Sequence, residues 1–366
     1  MADALEQARD AFFKGIAFFE QEAFEPAEAA FEQALTLAPG RPSVLLNLGV
    51  TRFQRQRFAQ AIEPLQQALA AEPAAPDGWL ALARCHMRLG QLHESIHSFQ
   101  TLLAQQPDNG LAWQELGECF RLAESFDQAA HAYQQAIAHG NDTDYTQFLL
   151  AAVTQQGGVP QPPSSYVQAL FDDYAADFES HLVGTLGYQG HQAVVRHLPG
   201  DGQQPLGHVL DLGCGTGLCG QLVRPRATRL VGVDLAPQMV EQAQATGLYD
   251  ELWTGDLHDR LAESTHTFDT VLAADVLIYV GALERLFAML APRMKAGGVW
   301  SFSVEAGAPD SGVQLLTSLR YSHAPDYIQS LAKQHGFSVL GQHTTPIRHD
   351  QRQPVMGDFW VLQRED

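Results

Sequence analysis

Four small residues, Gly15, Gly49, Ala83 and Gly117, stand 34 positions apart, and the chain around them falls into register. Four positions before them lie Ala11, Leu45, Trp79 and Trp113, and twelve after them Ala27, Ala61, Ser95 and Ala129. Next come the large residues Phe31, Leu65, Phe99 and Tyr133, followed by Ala34, Ala68, Leu102 and Ala136. Pro39, Pro73 and Pro107 close the first three units, and Asn141 takes that slot in the fourth. Small residues at fixed spacing let two antiparallel helices cross closely, the large ones fill the gap, and proline stops the second helix. A unit this short cannot bury its own apolar face, so successive units must stack. The stretch 144–156 reads as one more helix, capping the array.

This pattern resembles the tetratricopeptide repeat, in four copies over residues 8–143. The resemblance implies an α-helical solenoid whose inner groove is lined by the first helix of each repeat. Carried over by position, it places Phe12, Ile16, Phe19, Leu46, Val50, Phe53, Leu80 and Met87 there. An apolar patch of that size marks a contact surface. The expected occupant is a helix or extended peptide of a partner protein; the alternatives are the second domain or a second copy of the chain, as a homodimer.

Residues 157–165, GGVPQPPSS, have the composition of a spacer and divide a repeat domain, 1–156, from a second domain, 166–366. In the second part, β-branched runs at 208–212, 229–233, 268–274 and 298–304 alternate with helical stretches. That alternation predicts α/β architecture, a mostly parallel, doubly wound sheet of Rossmann-like type. Two runs near the end, FSVLGQHTT and MGDFWVLQRE, predict a terminal hairpin adding an antiparallel strand. The formal net charge of −20 is shared evenly by the two parts. No Lys/Arg cluster is present to displace counterions from a phosphate backbone, so nucleic acid is not an expected partner. No window approaches the roughly 18 apolar residues of a membrane span, and the expectation is a cytoplasmic protein without a membrane partner. Four scattered cysteines give neither a disulfide framework nor zinc-ligand spacing, and no metal is expected.

The second domain turns on the string HVLDLGCGTGLCG, residues 208–220. Read from Gly215 to Gly220 it fits the dinucleotide pattern G-x-G-x-x-G, with Asp234 downstream. Read from Asp211 through Gly213, Gly215 and Gly217 it resembles the first motif of class I S-adenosylmethionine-dependent methyltransferases. Residues farther along the chain favour the second reading. Asp234 ends the second strand, where a carboxylate can accept both ribose hydroxyls, and Asp256 lies just beyond the third. A fourth-strand motif at Phe268–Leu272 and a turn at Leu290–Gly298 complete five matches in order. The resemblance implies S-adenosyl-L-methionine as cofactor and S-adenosyl-L-homocysteine as product. It assigns Asp234 to the ribose, Asp256 with Leu257 to the adenine amino edge, Leu235 and Met239 to the adenine faces, and Ala274 to the fourth-strand end. Asp211 and the glycines serve the methionine part.

Methyl transfer is an in-line displacement, so alignment and desolvation matter most, and a base is needed only for a protonated nucleophile. The N/D-P-P-Y motif of amino-methylating enzymes is absent; Asp275 and Tyr279 stand in its place and are candidates for orienting the reactants. Residues 171–189 resemble a helix-and-lid region of bacterial proteins that fuse these repeats to a methyltransferase, which marks Tyr174 and His181, with Tyr166 ahead of them. Residues 320–327 lie where acceptor-binding insertions commonly sit, marking Arg320, Tyr321 and His323. The two histidines are candidate bases because imidazole titrates near neutrality. Three functions stay open at this point. The chain is a methyltransferase whose repeats bind a protein partner or acceptor, a methyltransferase of small molecules whose repeats dimerise or scaffold, or a non-catalytic cofactor-binding adaptor.

Overall fold

Eight helices form four antiparallel pairs at the spacing of the repeat. They are α1 (Ala2–Glu20) with α2 (Phe24–Leu37), α3 (Pro42–Gln54) with α4 (Phe58–Ala71), α5 (Pro76–Arg88) with α6 (Leu92–Gln105), and α7 (Gly110–Leu122) with α8 (Phe126–Ala138). Helix α9 (Asp144–Thr154) comes after them, as the sequence leads one to expect. The computed structural model describes residues 2–155, 159–174, 188–350 and 353–366. The chain divides into two compact units, Met1–Thr154 and Gln155–Asp366.

Within each pair the small residue meets the large one. A Cβ at Gly15 would lie 2.5 Å from Phe31 Cε1, one at Gly49 2.5 Å from Leu65 Cγ, and one at Gly117 2.5 Å from Tyr133 Cε1. Those three large side chains are fully buried. Proline acts at both ends of the helices, since Pro42 and Pro76 also open α3 and α5, where no intrahelical N–H is required. The tight corner inside each pair uses the left-handed region at Glu22, Gln56, Gly90 and Glu124, again 34 apart. Only one of these is glycine, so composition hides the corner. Between the first two pairs, Glu28 is buried and accepts from Arg52 Nε at 2.9 Å, with Arg55 also bonded to it. Burial alone would raise its carboxyl, but Arg52, Arg55 and Arg57 hold it below the usual carboxylate range. Gln114 Oε1 accepts from Asn141 Nδ2 and from Thr146 Oγ1 at 2.7 and 2.8 Å, tying α9 to the fourth pair.

The second unit is built on a nine-stranded sheet. Its strands are β1 (Gly207–Leu212), β2 (Ala227–Asp234), β3 (Glu251–Thr254), β4 (Phe268–Ala273), β5 (Met294–Ala306), β6 (Val313–Leu315), β7 (Tyr321–His323), β8 (Phe337–Asp350) and β9 (Gln353–Arg364). The order is β3-β2-β1-β4-β5-β7-β6, and β1 through β5 pair in parallel. The β8–β9 hairpin docks antiparallel on β5 through β9, the arrangement expected from the terminal runs. The short β6–β7 pair falls in a segment that sequence reading leaves between β5 and the next helix.

Strand alternation splits the core in two. Leu210, Leu212, Val231, Val233, Val271 and Ala273 face one core, which α15 (Glu284–Leu290) and α16 (Pro325–Gln334) cover with Phe287, Leu290 and Ile328. Val209, Leu230 and Leu272 face the other, covered by Val194 of α11 (Gly190–Arg196) and by Cys219 and Val223 of α12 (Leu218–Val223). Both faces are buried, hence the continuous apolar strands. Strand order reverses between β1 and β4, which opens a crevice at their carboxyl ends. Because Gly117 has no room for a branched side chain against Tyr133, Gly117→Val is expected to lower stability by about 1–3 kcal/mol, read as an earlier denaturant midpoint of the full chain.

Candidate functional site

A cavity of about 420 Å³ occupies that crevice. Backbone from Gly213 to Thr216 forms one wall; Asp234, Leu235 and Met239 form the next, then Asp256, Leu257 and His258, then Ala274, Asp275 and Val276. Helix α10 (Ser164–Tyr174) covers it with Val167, Leu170 and Phe171, and Arg320 and Tyr279 reach in from the far side.

The glycine loop is left-handed at Gly213 (φ 65°), Gly215 (52°) and Gly217 (102°). A Cβ at Gly213 would strike Val276 Cγ2 at 2.5 Å, so any side chain there forces the wall apart. Gly220, the last glycine of the dinucleotide pattern, has a different duty. A Cβ there would meet the Tyr249 hydroxyl at 2.5 Å, and one at Gly232 would meet the same ring at 2.8 Å. Tyr249 thus fills a slot cleared of side chains and donates its hydroxyl to Asp211 Oδ2 at 2.7 Å. Burial pushes the Asp211 carboxyl up to about 7, aided by the Asp234 charge and opposed by that hydrogen bond.

Asp234 closes β2, where Oδ2 accepts from the Gly215 N–H at 2.9 Å and Oδ1 from the Ala236 N–H at 3.0 Å. Burial raises this carboxyl, against the pull of the backbone donors. Gly215, Leu235 and Ala236 are those donors, and the carboxylate they fix lines the cavity. Asp256 caps α14 (Leu257–Glu263), accepting from the His258 N–H at 2.8 Å and facing His258 Nδ1 at 3.1 Å. Its carboxyl lies below the usual range, chiefly through the His258 side chain. His258 Nε2 is buried with no hydrogen-bond partner among the described residues.

Asp275 adopts φ 58°, and its N–H donates to Ser303 Oγ at 2.8 Å. Left-handed backbone at a non-glycine residue is strained and collects at functional sites. Tyr279 packs edge-on to Phe171, ring centroids 5.1 Å apart. Phe171 also packs on Ala236 and Met239, and Asp172 Oδ1 accepts the Gln238 N–H at 3.1 Å. These contacts pin α10 to the start of α13 (Pro237–Ala245) over the cavity.

Residues 209–298 match the family model of a methyltransferase domain, and residues 12–78 and 52–116 match two models of the tetratricopeptide repeat. The chain joins tetratricopeptide repeats to a methyltransferase domain. Methyltransferase-like protein 27 of Homo sapiens is 39% identical over 113 residues, which is 29% of this chain and 45% of that protein. Ubiquinone biosynthesis O-methyltransferase of Xanthomonas oryzae is 31% identical over 94 residues, 25% of this chain and 39% of that protein. The chain therefore spans less than half the length of either relative. Among solved structures, magnesium protoporphyrin IX methyltransferase from Synechocystis, crystallised with SAH, is 20% identical, with a TM-score of 0.43 covering 55% of this chain and 99% of that one.

Within the methyltransferase domain, Gly213, Gly215, Asp234, Leu235, Met239, Asp256, Leu257, Ala274, Asp275, Tyr279 and Arg320 all line the cavity. Other expectations need correction. Asp211 lies behind the loop, 1% exposed and bonded to Tyr249, so it braces the cavity wall and forms no part of the lining. Gly217 turns the chain into α12 without lining the cavity. His323 is fully buried, with Nε2 2.7 Å from Gly281 O, and burial drives its pKa down to about 4. A group so enclosed cannot meet an acceptor. Tyr321 is also fully buried, its hydroxyl donating to Pro160 O. Tyr166 is half-buried on α10 and is not part of the lining. The Tyr174 side chain and all of His181 lie outside the described residues.

Val167, Leu170 and Phe171 carry the cover, and their i, i+3, i+4 spacing is the signal that would have found them. Tyr249 carries no such signal. The Asp211 carboxyl keeps its proton to about pH 7 in the folded chain, whereas an unfolded aspartate releases it near pH 4. The folded state binds more protons across that window, so this residue's contribution to stability falls as pH rises through it. Asp211→Asn is expected to flatten the decline in unfolding midpoint between pH 5 and about pH 8, followed by denaturant titration at each pH.

Proposed function

We propose that the second unit transfers a methyl group from S-adenosyl-L-methionine to an acceptor and releases S-adenosyl-L-homocysteine, while the repeat array docks a partner protein. The observation that carries the first part is Asp234. Its carboxylate lines the cavity at the end of β2, fixed by backbone donors that include the Gly215 and Ala236 N–H groups, and a carboxylate so placed suits the vicinal hydroxyls of a ribose. Leu235, Met239 and Leu257 supply apolar surface beside it for an adenine, and Asp256 with the unpartnered His258 Nε2 supplies polar atoms for its edge. Gly213 and Gly215 present bare backbone to the cavity for the tail. Charge agrees as well, because the cofactor carries net +1 and the lining has Asp234, Asp256 and Asp275 against Arg320.

When bound, the cofactor supplies a methyl carbon already activated by its sulfonium. The acceptor's nucleophile forms a bond to that carbon as the carbon–sulfur bond breaks, leaving a neutral thioether. The chain's own part is positioning and drying. Val167, Leu170 and Phe171 exclude water, Tyr279 and Val276 confine the acceptor, and Asp275 takes a proton from an acceptor that brings one. His323, withdrawn into the core, has no part in that step.

For the array, support comes from Phe12, Ile16, Phe19, Leu46, Val50 and Phe53, all half-buried beside the cores of the first repeats, with Phe13 60% exposed. On the first helices of the third and fourth pairs, polar side chains are engaged within the array itself, Arg84 with Glu115 and Arg121 with Glu118.

Titration calorimetry of the full chain with S-adenosylhomocysteine tests the cofactor. Asp234→Ala is expected to weaken binding by about tenfold or more, since a hydrogen bond to a charged group is worth about 1.5–3 kcal/mol. Absence of heat from the unaltered protein would remove the reading. Methyl-labelled S-adenosylmethionine added with lysate separates enzyme from adaptor: label transferred to any component, above an Asp234→Ala control, identifies an enzyme.

A further inference from the structure

We propose that the methyl acceptor is a small organic acid with an apolar body, its carboxylate held by Arg320; this rests on the methyl-transfer reading of the same cavity. Arg320 is the only Arg or Lys among the described lining residues. It is half-buried, its Nε donates to the Tyr279 hydroxyl at a long 3.4 Å, and its two terminal nitrogens have no hydrogen bond or ion pair among the described residues. A guanidinium stays charged at any working pH and is poorly tolerated in a cavity without a partner. Asp275 and Glu305 act on it electrostatically, yet neither is ion-paired to it.

The backbone is built to deliver this side chain. Leu316 to Leu319 form a tight turn in which the Leu319 N–H donates to Leu316 O at 2.9 Å, and the Leu316 N–H donates to Arg320 O at 2.7 Å. Leu319, buried at 3% exposure, sits in the left-handed region at φ 64°. Beyond the arginine, Tyr321 is fastened to Pro160 O and His323 to Gly281 O. Arg320 stands just before β7, between this turn and the anchored Tyr321, and its side chain lines the cavity.

Two exposed N–H groups of one guanidinium match the two oxygens of a carboxylate in a fork. A doubly charged phosphate would call for more cations than this lining contains. The lining that Arg320 shares includes Val167, Leu170, Phe171, Tyr279 and Val280, which suit an aromatic or aliphatic body. A cavity of about 420 Å³ is near the lower end of the ~300–1,000 Å³ usual for ligand pockets, and the cofactor takes part of it.

The cofactor carries a carboxylate of its own, and the experiment separates the two sources. The full chain, saturated with S-adenosylhomocysteine, is titrated with benzoate, phenylacetate and octanoate and with the corresponding carboxamides. At least one acid is expected to bind about tenfold more tightly than its amide, and Arg320→Gln to erase that preference while S-adenosylhomocysteine affinity stays within about threefold. Arg320→Lys, which keeps charge without the planar fork, is expected to retain part of the preference; it serves as the test variant if the glutamine protein does not fold. Amides matching acids, no acid binding below about 10 mM, or a preference that survives Arg320→Gln overturns the proposal. So does Arg320→Gln weakening S-adenosylhomocysteine while 5′-methylthioadenosine, which lacks the amino-acid tail, binds unchanged; Arg320 would then hold the cofactor's carboxylate. Failure of the unaltered protein to bind S-adenosylhomocysteine removes the methyl-transfer reading itself, a result distinct from these.

Discussion

A buried carboxylate at the end of a central strand must have a donor, and Tyr249 gives Asp211 one across 38 residues of chain. The cavity wall is shaped around this bond. Gly220 and Gly232 lack side chains because the Tyr249 ring lies against them, and Gly217 turns above the same ring. The loop in front is therefore held from behind while its Gly213 and Gly215 backbone remains open to the cavity. Asp234 then ties the loop to β2 through the Gly215 N–H. Two aspartates divide the work: the enclosed one fixes the loop from behind, and the other lines the cavity.

The repeat array rests on a different constraint, steric and repeated. Removing Cβ at Gly15, Gly49 and Gly117 brings the helices of a pair close enough for Phe31, Leu65 and Tyr133 to lie against bare backbone. Each of these three large residues is thereby matched to a gap one helix away, so this packing is specified locally, within a 34-residue unit. Long-range register is needed only between neighbours, the property that lets solenoids be built by addition. The second unit has the opposite character. Its crevice draws on β1, β2, β4, α10 and the turn before β7, elements separated by up to about 150 residues.

That contrast explains what was legible. The repeats declare themselves because each contact recurs at a fixed offset, and the five methyltransferase motifs do so because each is a short contiguous string on or beside a strand of the sheet. Asp234, Met239 and Asp256, singled out by those motifs, all line the one cavity at the strand ends. Residues marked only by chemical type fared less well. His323 and Tyr321 have groups suited to catalysis, but alternation on β7 sends both into the core, where they bond to Gly281 O and Pro160 O. Arg320, one residue earlier, faces the cavity. Adjacent positions thus divide between a buried anchor and a cavity-lining side chain, and no composition or spacing rule records which is which.

The amino-acid order by itself determined the two architectures, the strand-end acids and the glycines that need positive φ, because those depend on local geometry and short periods. Tertiary structure alone decided that Asp211 is a brace, that Tyr249 is its donor, that Phe171 helps roof the cavity and that the terminal nitrogens of Arg320 have no hydrogen bond among the described residues. Each of those outcomes depends on which distant side chain arrives to satisfy or to shield a polar group, and burial of a polar group is settled only when the chain has closed around it.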